Sequence, residues 1–189
     1  MTFDNFPKTT TATESKSKLF SICQIRPYLF IAGYGALSVQ KVKELGITHA
    51  VDATNILKAQ KVENVEYIEV KVDDNEMANL TPYFEQVAKF IENAKNSNGK
   101  ALVYCAAGIS RSATLCMMYL VISEGVSLKE AFVEVGKARP IIAPNLGFWR
   151  QMIAYETEKK GNSSVSLLKG GMRRSIPDVY LYKSSLLNS

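Results

Sequence analysis

Tyr83, Phe84, Val87, Phe90 and Ile91 recur three and four residues apart. That spacing puts them on one face of a helix, so an amphipathic helix is predicted over 80–95, broken by Asn96-Ser97-Asn98-Gly99. Leu37, Val42 and Leu45 predict a shorter helix that stops at Gly46. Residues 111–123 are apolar all round, which predicts a buried helix ending at Gly125. Ser127 and Glu130 have the spacing of a capping box, opening a helix to about Ala138 that Arg139-Pro140 closes. Asn145 caps a last helix to about Lys159. Between these lie short apolar runs that read as strands: two within 21–32, turned at Arg26-Pro27 with Gly33 ending the second, then 47–53, 65–72 and 101–105.

Strands alternating with helices, then helices alone, predict an α/β fold: a central, mostly parallel twisted sheet of about five strands flanked by helices. Residues 1–20 are rich in Thr, Ser and Lys, and are expected to form a flexible leader. The domain is expected to run over 21–160, and a basic tail over 161–189. Ile176, Val179, Tyr180 and Leu181 give that tail apolar side chains with which to dock.

Length and charge narrow the function. A chain of 189 residues with 47% apolar and 22% charged residues fits one folded domain with tails, and no docking module is expected beside it. The formal charge of +5 invites a polyanionic partner. It resolves, however, into a neutral body and a tail with Lys160, Lys169, Arg173, Arg174 and Lys183 against Asp178. No basic stripe interleaved with aromatics is visible, so nucleic acid is not expected as a partner. Three cysteines and one histidine, without ligand or pairing spacing, disfavour a zinc site and a disulfide framework and suit a reducing compartment. No apolar run reaches the roughly 18 residues of a membrane span, and the N-terminus has no signal core.

The candidate chemistry lies in Val103-Tyr104-Cys105-Ala106-Ala107-Gly108-Ile109-Ser110-Arg111-Ser112. A cysteine ends a strand, small residues follow, and an arginine opens a helix. Successive N–H groups in such a turn form a concave anion site, to which the helix N-terminus adds its dipole. Gly108 permits the curvature, and Arg111 can grip two phosphate oxygens with its planar fork. A cysteine among these donors is stabilised as the thiolate. Cys105 thus reads as a nucleophile on the floor of a phosphate cup formed by Ala106, Ala107, Gly108, Ile109, Ser110 and Arg111. Cys116 reads as a buried core thiol, His49 as a structural histidine in a strand, and Phe148 and Trp149 as core.

The segment resembles the cysteine-dependent phosphatase signature His-Cys-x5-Arg-[Ser/Thr], with Tyr104 where histidine is usual. The chain around it is similar to the small, atypical dual-specificity phosphatases, through 46–54, Tyr83-Phe-Glu, Ser110-Arg-Ser-Ala-Thr-Leu-Cys116, Ala138-Arg-Pro, 144–149 and Ile176-Pro-Asp-Val-Tyr180. The resemblance implies the cysteine phosphatase fold and hydrolysis of phosphotyrosine and phosphoserine/threonine through a cysteinyl-phosphate, with no metal or other cofactor. It implies a general acid at Asp74, with Asp73 as the alternative, and Ser112 as the group that eases departure of the sulfur. Tyr104 implies a less reactive Cys105. A phosphoprotein-binding pseudophosphatase is the competing reading, and Cys105, Arg111 and Ser112, all retained, favour the enzyme. Phosphorylated proteins are the expected partners. A monomer in the cytoplasm is expected, with the nucleus as a second compartment.

Overall fold

The computed structural model describes residues 19–57, 59–169 and 175–181. All but the last two residues of the expected leader lie outside these, as do Arg173, Arg174 and Lys183 of the tail. In chain order the elements are β1 (Cys23–Arg26), β2 (Leu29–Gly33), α1 (Val39–Leu45), β3 (His49–Asp52), β4 (Glu66–Glu69), α2 (Phe84–Asn96) and β5 (Ala101–Cys105). Then follow α3 (Arg111–Ser123), α4 (Leu128–Ala138), α5 (Leu146–Lys160), β6 (Leu167–Lys169) and β7 (Ser175–Pro177).

Five strands form one sheet in the order β1-β2-β5-β3-β4. Only the β1–β2 pair is antiparallel. This is the mostly parallel sheet that the alternation of elements predicts. β5 lies at its centre, so residue 105 ends a strand hydrogen-bonded on both sides.

Side-chain alternation along the strands builds two cores. Leu29, Ile31, Val51, Ala101, Val103 and Cys105 join the larger core with α2 to α5. Phe30, Ala32, Ala50, Leu102 and Tyr104 join a smaller one with Val42 of α1. Cys105 and Tyr104, neighbours in sequence, therefore belong to opposite faces of the sheet. Helix α3 is buried from Arg111 to Val121 and packs against α2, α4, α5 and β5. That enclosure is why its sequence has no polar face.

The caps follow the sequence closely. Ser127 and Glu130 form the capping box of α4, and the Asn145 side chain accepts from the Phe148 N–H at the start of α5. The helix predicted from Leu80 instead begins as a 3-10 turn over Thr81–Tyr83, with Pro82 in its first turn, and becomes α-helical at Phe84. Leu37 precedes α1, which Ser38 caps.

Packing continues past the expected boundary at 160. β6 and β7 pair antiparallel, and Val165 and Val179 are buried in the larger core. The Trp149 indole N–H donates to the Tyr180 hydroxyl at 2.9 Å, and the Tyr180 ring also packs, tilted, against Phe132. Of the four tail residues able to dock, Val179 and Tyr180 do so, whereas Ile176 and Leu181 stay 38% and 54% exposed.

Candidate active site

The site sits at the carboxyl end of β5, the edge of a parallel sheet where loops converge and ligands bind. Cys105 is 1% exposed. The Gly108 N–H donates to its sulfur at 3.2 Å, and the Ser112 hydroxyl oxygen lies 3.3 Å from the sulfur. Ala106 and Ala107 are exposed at the mouth, while Gly108, Ser110 and Ser112 are buried. The loop presses on the end of β2. A Cβ on Gly108, where φ is +70°, would lie 2.5 Å from backbone atoms of Ala32 and Gly33. A Cβ on Gly33 would lie 2.7 Å from the Ala107 oxygen. Only glycine fits either position.

Arg111, the first residue of α3, turns back to donate through one terminal nitrogen to the carbonyls of Thr54 (2.9 Å) and Val72 (3.1 Å). Its buried Nε has no hydrogen-bond partner, although an Asp74 oxygen lies 3.7 Å away. A buried donor left open in this way is ready for an oxyanion. Asp74 is drawn to the loop: the Ser110 hydroxyl donates to it at 2.7 Å and the Asn145 side-chain amide at 2.9 Å. Asp73 points elsewhere and accepts from the Asn55 side-chain amide at 2.7 Å. Folding therefore brings Cys105, Arg111, Ser112 and Asp74 together and leaves Asp73 outside the cluster.

Residues 29–158 match the family "Dual specificity phosphatase, catalytic domain". The chain belongs to the dual specificity phosphatase family. It is 39% identical over 168 residues to dual specificity protein phosphatase 14 of Homo sapiens, covering 88% of this chain and 84% of the relative. The crystal structure of human DUSP28 superposes with a TM-score of 0.70 at 31% identity, covering 74% of this chain and 95% of that one. A mouse putative dual specificity phosphatase complexed with zinc tungstate gives a TM-score of 0.70 at 32% identity, covering 82% and 96%. The reaction of this phosphatase is protein dephosphorylation, and the binding-only alternative is not favoured.

In this phosphatase Tyr104 has no access to the cup, because it lies on the α1 face of the sheet. Burial, together with Asp52, the acceptor of its hydroxyl proton, holds its pKa far above the usual phenol range. Asp52 also accepts from the Thr54 N–H (2.9 Å) and hydroxyl (2.7 Å). The Thr54 carbonyl is the one that holds Arg111. Tyr104, Asp52, Thr54 and Arg111 thus form a chain of contacts from the far face of the sheet to the cup. His49 is satisfied by the Thr48 hydroxyl and packs on Phe90, and Cys116 is fully buried, where desolvation raises its pKa. Among the described residues no group of His, Cys, Asp and Glu is arranged to hold a metal ion, and no helix is long and apolar enough to cross a membrane.

Sequence reasoning passed over several participants. Gly33 reads as a strand end and Asn145 as a cap, yet each also touches the site. Thr54 and Asp52 carry no motif of their own. Arg139 reads as a helix stop before Pro140, but it is fully buried against the loop. An arginine set among Ala138, Pro140, Ile141 and Ile142 was the available signal.

Proposed function

We propose that this phosphatase hydrolyses phosphotyrosine and phosphoserine/threonine in proteins, with Cys105 as nucleophile. The observation that carries this reading is the Cys105 sulfur under the Gly108 N–H, together with a buried Arg111 Nε that has no hydrogen-bond partner. The thiolate attacks phosphorus, and the bond to the leaving oxygen breaks as the S–P bond forms. Arg111 and the N–H groups of 106–110 carry the charge of the equatorial oxygens. Asp74, protonated, gives its proton to the leaving oxygen. As carboxylate it then takes a proton from the water that attacks the cysteinyl-phosphate. Release of phosphate returns the sulfur as thiolate, eased by the Ser112 hydroxyl 3.3 Å away. The exposed Ala106 and Ala107 at the mouth suit a shallow cleft open to both long and short phosphorylated side chains. Three free, buried thiols suit a cytoplasmic or nuclear setting.

The test is phosphate release from an aryl phosphate and from peptides phosphorylated on both tyrosine and threonine, beside Cys105→Ser. Release by the wild type from both positions is expected. A wild type no faster than Cys105→Ser overturns the enzyme, and release from phosphotyrosine alone removes dual specificity.

A further inference from the structure

A phosphate cup needs its amides facing in, and therefore its carbonyls facing out. In a trans peptide the C=O of one residue and the N–H of the next point in opposite directions. Four consecutive carbonyls of the loop are each held by a donor. The Ala106 oxygen accepts from the Tyr34 N–H (3.1 Å) and the Ile109 oxygen from the Ala143 N–H (2.9 Å). The two central ones go to a single side chain: the Arg139 Nε donates to the Gly108 oxygen (2.7 Å) and a terminal nitrogen to the Ala107 oxygen (3.0 Å). The N–H groups of 107–110 are thereby turned the opposite way. For one of them the consequence is visible, since the Gly108 N–H reaches the Cys105 sulfur.

Arg139 is 0% exposed. The far side of its guanidinium donates to the backbone oxygens of Ser21 (3.1 Å) and Leu19 (3.4 Å) and touches the Cys23 sulfur (3.5 Å). These contacts clamp the group between the loop and the segment entering β1. Burying a full charge is costly, and it is offset here by a fan of carbonyl acceptors.

We propose that Arg139 is a positioning residue for phosphate recognition: it fixes the 107–108 and 108–109 peptides with their amides inward and places a second positive charge behind the cup. Arg111 meets the phosphate from the front, and Arg139 acts through the loop. Without Arg139 those two peptides are free to rotate and turn a carbonyl toward the phosphate. The inference rests on the reading of residues 105–111 as the phosphate site.

The experiment measures tungstate binding by calorimetry in the Cys105→Ser background, so that the readout is independent of turnover. Arg139→Met removes the fork at similar volume, Arg139→Lys keeps the charge with a single point of contact, and Val87→Ala in α2 serves as a core variant on another element. Arg139→Met is expected to weaken tungstate binding by about 10–100-fold, with Arg139→Lys recovering part of the loss. In proteins that retain Cys105, KM for an aryl phosphate should rise in the same order. Val87→Ala should lower the unfolding midpoint and leave tungstate affinity unchanged. If Arg139→Met fails to fold, Arg139→Lys alone carries the comparison. Tungstate affinity within about threefold of the parent in the Arg139 variants, or a loss matched by Val87→Ala, overturns the proposal. In that event Cys105→Ser still tests the catalytic reading, because turnover lost there and kept in Arg139→Lys separates the two.

Discussion

A carboxyl group can protonate a leaving oxygen only if it is held beside the phosphate, and two adjacent aspartates compete for that place. Ser110 and Asn145 each donate to Asp74 and hold it at the loop, whereas Asp73 is held by Asn55, so Asp74 is the proposed acid. Asp74→Asn keeps the shape and loses the proton. It should lower kcat on a phosphopeptide by about 10²–10⁴, and by less on an aryl phosphate whose leaving group needs little protonation. Asp73→Asn should stay close to wild type. Equal losses in both variants would leave Asp73 standing as the alternative. Tyr104 is a second test at this scale. Its buried hydroxyl stays un-ionised, so it offers no charge to the neighbouring cysteine. A histidine there would lie beside Asp52 and could carry one. Tyr104→His is therefore expected to raise turnover or to move the acid limb of the pH–rate profile downward. If neither moves, residue 104 is catalytically neutral.

At the scale of elements, the cup is the contact of one loop with one strand end. Gly33 has an ordinary extended conformation, φ −91°, so Gly33→Ala costs little backbone strain. Its Cβ would nevertheless meet the Ala107 oxygen, and the loop must give way. Turnover should fall at least about tenfold while the unfolding midpoint drops only a few degrees; the reverse pattern would place the effect in stability alone. A second junction holds the tail. Glu156 in α5 accepts from the Leu128 N–H at the start of α4 (2.7 Å), the Ser164 N–H (2.7 Å) and the Ser163 hydroxyl (2.9 Å). Burial would raise its pKa, but these donors outweigh burial and hold it below the usual carboxylate value. A depressed folded-state pKa stabilises the protein above the unfolded-state pKa, and that contribution fades as pH falls through the folded value. Urea melts should show stability falling below about pH 4.5, with a shallower acid slope in Glu156→Gln. The strand at 101–105 and the helix at 111–123 are readable directly because each is a bounded apolar run. The start of α2 is not, because Pro82 favours a tight first turn that hydrophobic spacing does not register.

Over the whole molecule, residues 161–169 and 175–181 belong to the packed structure, although the composition of this region suggests a tail. Tyr180 packs against both Phe132 and Trp149 and accepts a hydrogen bond from the indole N–H. Tyr180→Ala should lower stability by about 2–4 kcal/mol and leave turnover per folded molecule unchanged. A thermal melt and an activity assay on one preparation check both, and an unchanged midpoint would show that the tail contributes nothing to the fold.

Local chemistry determined what the sequence could disclose. Period and capping set the helices, apolar runs set the strands, and a cysteine six residues before an arginine, with glycine between, marked an anion cup. Those signals are contained in short stretches of chain. The tertiary structure decided which residues meet across long separations. Asp74 rather than Asp73 faces the loop, Gly33 receives it, and Asp52 links Tyr104 to Arg111 through Thr54. Arg139, 34 residues after Cys105 in the sequence, supports its cup from behind. Such pairings depend on how a central strand and its flanking loops are placed in space, and nothing in the local pattern of a chain encodes that distance.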